Sequence, residues 1–264
     1  MFFKNVNWAT GETLREIYQA HRGRVADKWD GYFDCYDFEF SRYRDMPVTI
    51  LELGVQNGGS LETWSKYFKS AKAIIGVDIV EQVESYSYSD VRIKTICGDA
   101  TSIYDNARLI GVTPSIIVDD ASHQSFDIIS SFVSLFPRLE SGGVYVVEDL
   151  CCSYWRSFNV QGQVSSWDFF KALSDLVNYE HMSDECRSEI VEWLSDSNIT
   201  KIPGFDFQSL LSIQSIRFYN SMCFISKGSS KGSIGKRCVV GDDAPLGFRA
   251  PDGQDVSEVK RQSL

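Results

Sequence analysis

The chain of 264 residues is 43% hydrophobic and 13% aromatic, which suffices for one sizeable α/β domain with small additions. Its formal net charge of −10 and its sequence pI near 4.8 describe a surface that repels phosphate backbones, so nucleic acid is not an expected partner. Residues 1–5 lack the basic region and apolar core of a signal peptide, no apolar run is long enough for a membrane span, and seven cysteines without C-x-x-C spacing fit reduced thiols, so we expect a cytoplasmic protein.

The first predicted element is a helical region over residues 10–45, which we interpret as an N-terminal helical lid (residues 1–45). Aromatic residues recur in it at steps of three or four, namely Trp29, Tyr32, Phe33, Tyr36, Phe40 and Tyr43. Such a stripe is typical of a face that packs against a core. It also fits a lid over a ligand, with the aromatic and charged side chains of His21, Lys28, Tyr32 and Tyr36, and both interpretations can hold together.

A strand and a glycine-rich turn follow this region. Met46-Pro47 ends the helix, residues 48–53 predict the first buried strand, and residues 61–68 predict the next helix. The glycines of the turn between them (residues 54–60) let backbone approach a ligand closely, and a helix N-terminus attracts negative charge. The spacing is not G-x-G-x-x-G, so the turn alone does not identify a cofactor.

Polar residues mark the ends of three successive strands. Residues 73–78 and 92–99 predict the second and third strands. The three strand ends carry Glu52, Gly54, Asp78 and Asp99. An acid at the end of the second strand typically accepts hydrogen bonds from ribose hydroxyls. Together these positions predict a site shaped for a nucleoside.

Two further apolar strands end in paired acids. After a predicted helix over residues 101–110, residues 115–123 hold a fourth strand, and a helix over residues 126–139 leads to a fifth. The two strands end in Asp119-Asp120, with His123 close behind, and in Glu148-Asp149. One such acid often caps a helix, but neighbouring strands would bring four carboxylates and an imidazole to one rim. Carboxylates held together repel one another unless a cation lies among them.

The rest of the chain predicts a cover, helices and a hairpin. Residues 151–168 are aromatic and polar without a clear period, which indicates a loop over the site. Residues 169–194 predict one or two helices, and residues 211–227 predict an antiparallel hairpin with its turn at Asn220-Ser221. Residues 229–264 are rich in polar residues and glycine, which predicts a polar C-terminal tail.

Several of these segments resemble class I S-adenosylmethionine-dependent methyltransferases. They are Ile50-Leu-Glu-Leu-Gly-Val-Gln-Asn-Gly-Gly-Ser-Leu61, Gly76-Val-Asp78, Val118-Asp-Asp-Ala-Ser-His123 and Val146-Val-Glu-Asp-Leu150. More narrowly, they are similar to the metal-dependent sugar O-methyltransferases of macrolide biosynthesis, of the macrocin and mycinamicin type. Residues 21–32, 153–155 and 215–221 also match, and the resemblance covers roughly residues 15–228.

The resemblance implies an α/β fold with a Rossmann-like, seven-stranded, mostly parallel sheet, helices on both faces and an antiparallel C-terminal hairpin. The methyltransferase domain would span residues 46–228. The implied cofactors are S-adenosylmethionine and Mg²⁺, with Mn²⁺ as a substitute. The implied reaction is methyl transfer to a sugar hydroxyl of a glycan or glycosylated natural product. A homo-oligomer stays open, as does the acceptor: an antibiotic deoxysugar, a surface glycan or a glycolipid.

The resemblance also implies a role for each site residue. Asp120, Glu148 and Asp149 would bind the metal ion, and His123 would be the general base. The cofactor would lie against Glu52, Gly54, Asp78, Asp99 and Asp119, and the acceptor against Tyr32, Tyr154 and Trp155. All-oxygen ligation suits a hard cation such as Mg²⁺, and an imidazole can accept a proton near neutral pH.

Two departures and two alternatives accompany this interpretation. Ala121 stands where the family has Gly, and Cys151-Cys152 stand where it has His-Thr; we expect two thiols there rather than a strained vicinal disulfide. One alternative function is an NAD-dependent oxidoreductase, against which the glycine spacing argues. The other is a non-catalytic S-adenosylmethionine-binding protein, against which the intact acids and His123 argue.

Overall fold

One mixed sheet forms the centre of the computed structural model, which describes residues 11–102, 109, 111–160, 163–228, 234, 238 and 240. In these residues the strands are β1 (Thr49–Leu53), β2 (Ala73–Asp78), β3 (Ile93–Cys97), β4 (Ile116–Asp119), β5 (Val144–Val147), β6 (Ile213–Tyr219) and β7 (Met222–Lys227). The order across the sheet is β3-β2-β1-β4-β5-β7-β6. The first five strands run parallel, and β7 runs antiparallel to both of its neighbours. The predicted fold class is confirmed.

Helices cover both faces of this sheet. In the described residues they are α1 (Leu14–Ala20), α2 (Asp30–Phe40), α3 (Gly59–Tyr67), α4 (Ser125–Leu135), α5 (Ser166–Leu173), α6 (Asp184–Asp196) and α7 (Phe207–Leu210). Because both faces are covered, the side chains of β4 and β5 are all buried. The apolar runs in the sequence predicted these two strands for the same reason.

The predicted helical region over residues 10–45 is two helices rather than one. A capping box at Thr13 starts α1, and the chain leaves helical geometry at His21 and returns to it only after Trp29. Residues 21–29, which we call the connector, run in irregular conformation against α3. A Cβ at Gly23 would lie 2.0 Å from the Glu62 carboxylate on α3. The backbone N–H of Arg24 donates to the same Glu62 carboxylate at 2.8 Å, a tertiary contact that helical periodicity cannot reveal.

The second helix of this region packs into the core. Tyr36 and Phe40 are fully buried, and the Tyr36 ring lies 5.1 Å from Trp64 of α3 and 5.7 Å from Phe224 of β7. Three of the other aromatic residues in the stripe, Tyr32, Phe33 and Tyr43, are also buried, whereas Trp29 is 67% exposed. The aromatic stripe is therefore a packing face over most of its length.

The remaining predicted elements differ from the structure mainly at their ends. A 3-10 turn at Phe136–Arg138 extends α4, where Pro137 lacks the backbone donor of a regular helix. The predicted loop over residues 151–168 begins with a 3-10 helix, Leu150–Tyr154, and its last three residues already belong to α5. Most of the predicted helix over residues 101–110 and of the tail over residues 229–264 lies outside the described residues.

The described residues fall within two compact units, Met1–Gly232 and Ser233–Leu264, and every helix and strand given above belongs to the first. The predicted boundary between a lid and a methyltransferase domain at residue 45 stays a prediction. Among the described helices, none has the length and apolarity that a bilayer span requires.

An ion pair joins α2 to the edge of the sheet. Arg217 of β6 donates to both carboxylate oxygens of Glu39, at 2.5 and 2.7 Å, and the Tyr219 hydroxyl donates to the same group at 2.7 Å. The Glu39 side chain is only 5% exposed and that of Arg217 is 32% exposed. Loss of the guanidinium would leave a buried carboxylate with one donor.

We therefore expect Arg217→Met to lower the free energy of unfolding by about 1–3 kcal/mol, because a buried charge loses its partner. Chemical denaturation of the variant and the wild type measures this. Lys171→Met is the control, since Lys171 and Asp168 form a pair that is more than half exposed and should contribute less than about 1 kcal/mol. Equal losses in the two variants would contradict a structural role for the Glu39 pair.

Candidate active site

The register of the central strands brings the predicted site residues to one edge. Leu53 of β1 pairs with Asp119 of β4, and Asp119 pairs with Val147 of β5. The residues that follow, Gly54, Asp120 and Glu148, therefore leave the sheet side by side. This edge is the carboxyl end of the parallel strands, where α/β sheets bind their ligands.

Gly54 is a position where backbone strands come too close for a side chain. Its φ is +89°, and a Cβ placed on it would lie 2.2 Å from the carbonyl oxygen of Asp120. Only glycine adopts this conformation without strain and without that collision. The close approach of Gly54 to Asp120 places the predicted cofactor residues next to the acidic part of the rim.

Two adjoining cavities lie along the rim. The larger has a volume of about 550 Å³ and is lined by connector residues 25–29 and by Asp120, His123 and Asp149. The smaller has a volume of about 270 Å³ and contains Asp99 and Asp119 in its lining. Gly54, Asp78 and Ala121 line both cavities. Four of the five predicted cofactor residues thus line one or both cavities, and we call the part along the ends of β1, β2 and β3 the groove.

Asp78 and Asp99 shape the groove through backbone contacts. One oxygen of Asp78 accepts hydrogen bonds from the N–H groups of Val55 and Gln56, at 2.8 and 3.0 Å, and the other accepts from Val80 at 3.0 Å. The Asp99 carboxylate accepts from the backbone and hydroxyl of Thr101. Asp78 therefore holds the glycine-rich turn in place, in addition to any contact with a ligand.

Glu52 is the one predicted cofactor residue that lines neither of these two cavities. Its side chain is fully buried on the α3 side of β1, where it accepts hydrogen bonds from Ser60 at 2.7 Å and from Trp64 at 3.2 Å. Burial raises the pKa of Glu52 to about 7. Both faces of the central strand are covered, so Glu52 points into the core and does not line either cavity described above.

Lys28, in the connector, is a buried cation surrounded by acids. Its Nζ lies 2.7 Å from Asp120, 2.7 Å from Glu148 and 3.9 Å from Glu52, and its side chain is 1% exposed. Burial works to lower the pKa of Lys28, but the carboxylates of Asp120, Glu148 and Glu52 raise it well above its ordinary value. The ammonium group is thus the counter-ion that the clustered acids require.

Helix α2 supplies two hydroxyl donors to the same acids. Tyr32 donates to Asp149 at 2.6 Å, and Tyr36 donates to Glu148. Trp29, at the start of the helix, also donates to Asp149, at 3.0 Å. Tyr32 and Tyr36 are four residues apart on α2, so they reach the rim from one face of the helix. Tyr32, which was predicted to bind the acceptor, is 3% exposed and orients Asp149 instead.

Three of the predicted catalytic and metal-binding residues converge. Asp120, His123 and Asp149 each offer a ligand atom, and these atoms lie within 4.8 Å of one another. Nε2 of His123 is 3.7 Å from Asp149. Among the described residues, five non-glycine residues have positive φ, and His123 (57°) and Asp149 (50°) are two of them. Asp and His adopt this left-handed conformation more readily than most residues.

Glu148 lies outside this convergent group. Its carboxylate is 2% exposed and is bonded to Lys28 and Tyr36. Burial, followed by repulsion from Asp120, raises the pKa of Glu148 to about 8. The side chains of Asp120, His123 and Asp149 are 23–24% exposed toward the larger cavity. Two accessible carboxylates with an adjacent imidazole fit a divalent cation that prefers oxygen ligands.

The two predicted acceptor residues after β5 lie on the surface. Tyr154 is 67% exposed beside Trp167, and Trp155 is 53% exposed beside Phe158, with ring centroids 5.8 Å apart in each pair. The Phe158 ring lies 6.5 Å from the His123 ring. Neither Tyr154 nor Trp155 lines the two cavities described above. The neighbouring Cys151 and Cys152 are free thiols.

Comparison with known proteins finds similar sugar O-methyltransferases. The chain is 39% identical over 145 residues to the 8-demethyl-8-alpha-L-rhamnosyl tetracenomycin-C 2'-O-methyltransferase of Streptomyces olivaceus. The aligned region covers 50% of this chain and 37% of the relative. The chain is 30% identical over 215 residues to the mycinamicin VI 2''-O-methyltransferase of Micromonospora griseorubida, and this alignment covers 75% of the chain and 49% of the relative. No family model matches the chain.

The solved structures include a similar fold. The MycE methyltransferase from the mycinamycin biosynthetic pathway, in complex with Mg and SAH, has a TM-score of 0.62 and 26% sequence identity, covering 88% of this chain and 54% of that chain. The predicted resemblance to enzymes of the mycinamicin and macrocin type is confirmed. The chain spans about half the length of the curated relatives it matches.

Asp119 allows a test of the buried electrostatics. It is 2% exposed, accepts a hydrogen bond from the Tyr145 hydroxyl at 2.8 Å, and burial raises its pKa from 3.8 to about 7. Because the pKa of the folded state is the higher one, the carboxyl group stabilises the fold at low pH. This contribution is lost as the pH rises from about 4 to about 7.

We expect the free energy of unfolding of the wild type to fall, relative to Asp119→Asn, across that pH range and then to level off. The amide of Asn still accepts from Tyr145 but carries no charge at any pH. Urea titrations of both proteins at half-unit pH intervals measure the difference. Parallel pH curves for the two proteins would mean that Asp119 is not a buried acid of raised pKa.

Proposed function

From this relationship to the sugar O-methyltransferases, we propose that the chain transfers a methyl group from S-adenosylmethionine to a sugar hydroxyl of a glycan or glycosylated natural product. The observation that carries the proposal is the placement of Asp120, His123 and Asp149 within 4.8 Å at the wall of the larger cavity. This cavity adjoins the groove where the fold binds its cofactor. A methyl donor and an activated hydroxyl would therefore meet at one place.

The groove along β1, β2 and β3 suits S-adenosylmethionine. In the proposal, Asp78 binds the ribose, Asp99 lies at the adenine edge, and Gly54 and Asp119 lie against the rest of the cofactor. All four line the two adjoining cavities. Glu52 would contribute from behind the groove, through its bonds to Ser60 and Trp64. The similar MycE structure contains SAH, the demethylated form of this cofactor.

Asp120 and Asp149 are the residues that we propose hold Mg²⁺. Glu148, the third ligand predicted from the sequence, follows β5 directly and shares Lys28 with Asp120. The donor set suits a hard cation, and MycE also contains Mg. Mg²⁺ bound there would supply Lewis-acid chemistry, orienting sugar hydroxyls and lowering the pKa of one of them.

His123 is the proposed general base. In the transfer, the sugar oxygen bonds to the methyl carbon while the carbon–sulfur bond breaks, and His123 takes the hydroxyl proton at Nε2. Asp149, 3.7 Å from Nε2, stabilises the imidazolium that forms. The His123 ring also lies 6.5 Å from the Phe158 ring. General base catalysis of this kind contributes about 10²–10⁴-fold to the rate.

The connector and the exposed aromatic rings would receive the acceptor. Residues 25–29 line the larger cavity, and Trp29 is 67% exposed there while its indole N–H holds Asp149. Phe158 and Trp155 continue an aromatic surface from the His123 ring. Aromatic faces of this kind pack well against the apolar faces of sugars and aglycones.

Localisation in the cytoplasm and a division between lid and catalytic domain are also part of the proposal.

The alternative functions have less support. A nicotinamide-dependent oxidoreductase needs no cluster of Asp120, His123 and Asp149 beside its cofactor groove. A non-catalytic binding protein needs no imidazole beside two accessible carboxylates at the wall of a cavity. Turnover with S-adenosylmethionine and a glycoside acceptor separates all three functions, and thermal stabilisation by SAH but not by NAD separates the first two.

Removal of the metal provides the first test of the proposal. We expect a chelator to abolish methyl transfer and Mg²⁺ or Mn²⁺ to restore it. Asp149→Asn should weaken metal binding by about tenfold or more, because the site loses one ligand charge. SAH affinity, measured by calorimetry, should stay within about threefold of that of the wild type. The control Asp168→Asn changes an acid of α5 paired with Lys171 and should keep full activity.

The role of His123 gives a second test. His123→Ala should lower kcat by about 10²–10⁴-fold, because no base accepts the hydroxyl proton. The residual rate should increase with pH, since hydroxide replaces the imidazole, whereas metal affinity should change little. A variant that loses metal binding together with activity would show that His123 is a metal ligand rather than the base.

A further inference from the structure

We propose that Lys28 is a built-in counter-ion of the acidic site, whose ammonium group competes with the divalent cation for Asp120 and Glu148 and so limits metal affinity. This inference rests on the proposed function, because it concerns the same metal site. It goes further by assigning to the connector the control of how tightly the ion is held. Lys28 would act on the ion through Asp120 and Glu148, and it takes up neither the proton nor the methyl group in the proposed reaction.

The contacts of Lys28 support this role. Its Nζ is 2.7 Å from an oxygen of Asp120, which belongs to the convergent group, and 2.7 Å from Glu148, which does not. Glu148 is thus held away from the group of Asp120, His123 and Asp149 by its bonds to Lys28 and Tyr36. A divalent ion that drew Glu148 into its ligand set would have to break or weaken the bond to Lys28.

Electrostatics fixes the direction of the effect. Lys28 is 1% exposed, so water screens its charge little. A buried positive charge that bonds directly to a metal ligand repels the ion and draws negative charge away from it. Removal of that charge should therefore tighten metal binding. An effect of the opposite sign would follow if the role of Lys28 were only to hold the carboxylates in position.

The same contacts explain why the chain carries a lysine there. Glu52 and Glu148 are almost completely buried, and Asp120 lies between them on the neighbouring strand end. Buried carboxylates without a cation are strongly unfavourable. Lys28 keeps them paired while the ion is absent, and an ion bound with moderate affinity can exchange without loss of the folded site.

Titration with Mn²⁺ tests the proposal directly. Free Mn²⁺ is followed by electron paramagnetic resonance, with the wild-type chain of 264 residues and the neutral variant Lys28→Met, which keeps the length of the side chain. We expect the variant to bind Mn²⁺ about tenfold or more tightly than the wild type. Lys28→Gln is a second neutral variant; its amide still donates to the carboxylates, so it provides the comparison if the Met variant folds poorly.

Lys66→Met is the matched control. It removes an equal charge from an exposed position on α3, where the ammonium group contacts His21, and it should leave Mn²⁺ affinity within about twofold of that of the wild type. Equal or weaker binding by both Lys28 variants, with normal binding by the wild type, would overturn this proposal alone. A wild type that binds no Mn²⁺ would overturn the proposed metal site, and this proposal with it.

Discussion

The acidic site depends on the ion pairs that the buried ammonium group of Lys28 forms with its carboxylates. Three carboxylates surround it, from β1 and from the ends of β4 and β5, and its side chain is almost inaccessible to solvent. Acids at adjacent strand ends would otherwise repel one another and take up protons. One cation from the connector allows parallel strands to present negative charge at the rim where ligands bind.

The N-terminal helices hold Lys28 in position. Helix α2 packs in the core through Tyr36 and Phe40, and it thereby fixes the connector that carries Lys28. The same helix brings hydroxyl donors to Glu148 and Asp149. The aromatic stripe, which the sequence predicts as a packing face or a lid, therefore has a third role, because two of its hydroxyl groups orient Asp149 and Glu148.

The sequence predicted the sheet well because each central strand is a short apolar run with a polar end. Parallel strand ends meet at one edge, so convergence of Asp120 with Asp149 and His123 also followed from the pattern. The pairing of Lys28 with acids 92 and 120 residues away did not, since it depends on the path of the connector. The polar partners of Glu52 and Tyr32 were not predicted either, because periodicity shows which residues are buried in an element but not which polar groups they meet there.

We propose above all that the rim binds a divalent cation through Asp120 and Asp149, next to the methyl donor. Crystals grown with SAH and Mn²⁺ and measured at the manganese absorption edge test it most directly. We expect one anomalous peak in the larger cavity, within coordination distance of both carboxylates, with SAH in the adjoining groove. SAH bound in the groove without an anomalous peak at these residues, at millimolar Mn²⁺, would contradict it.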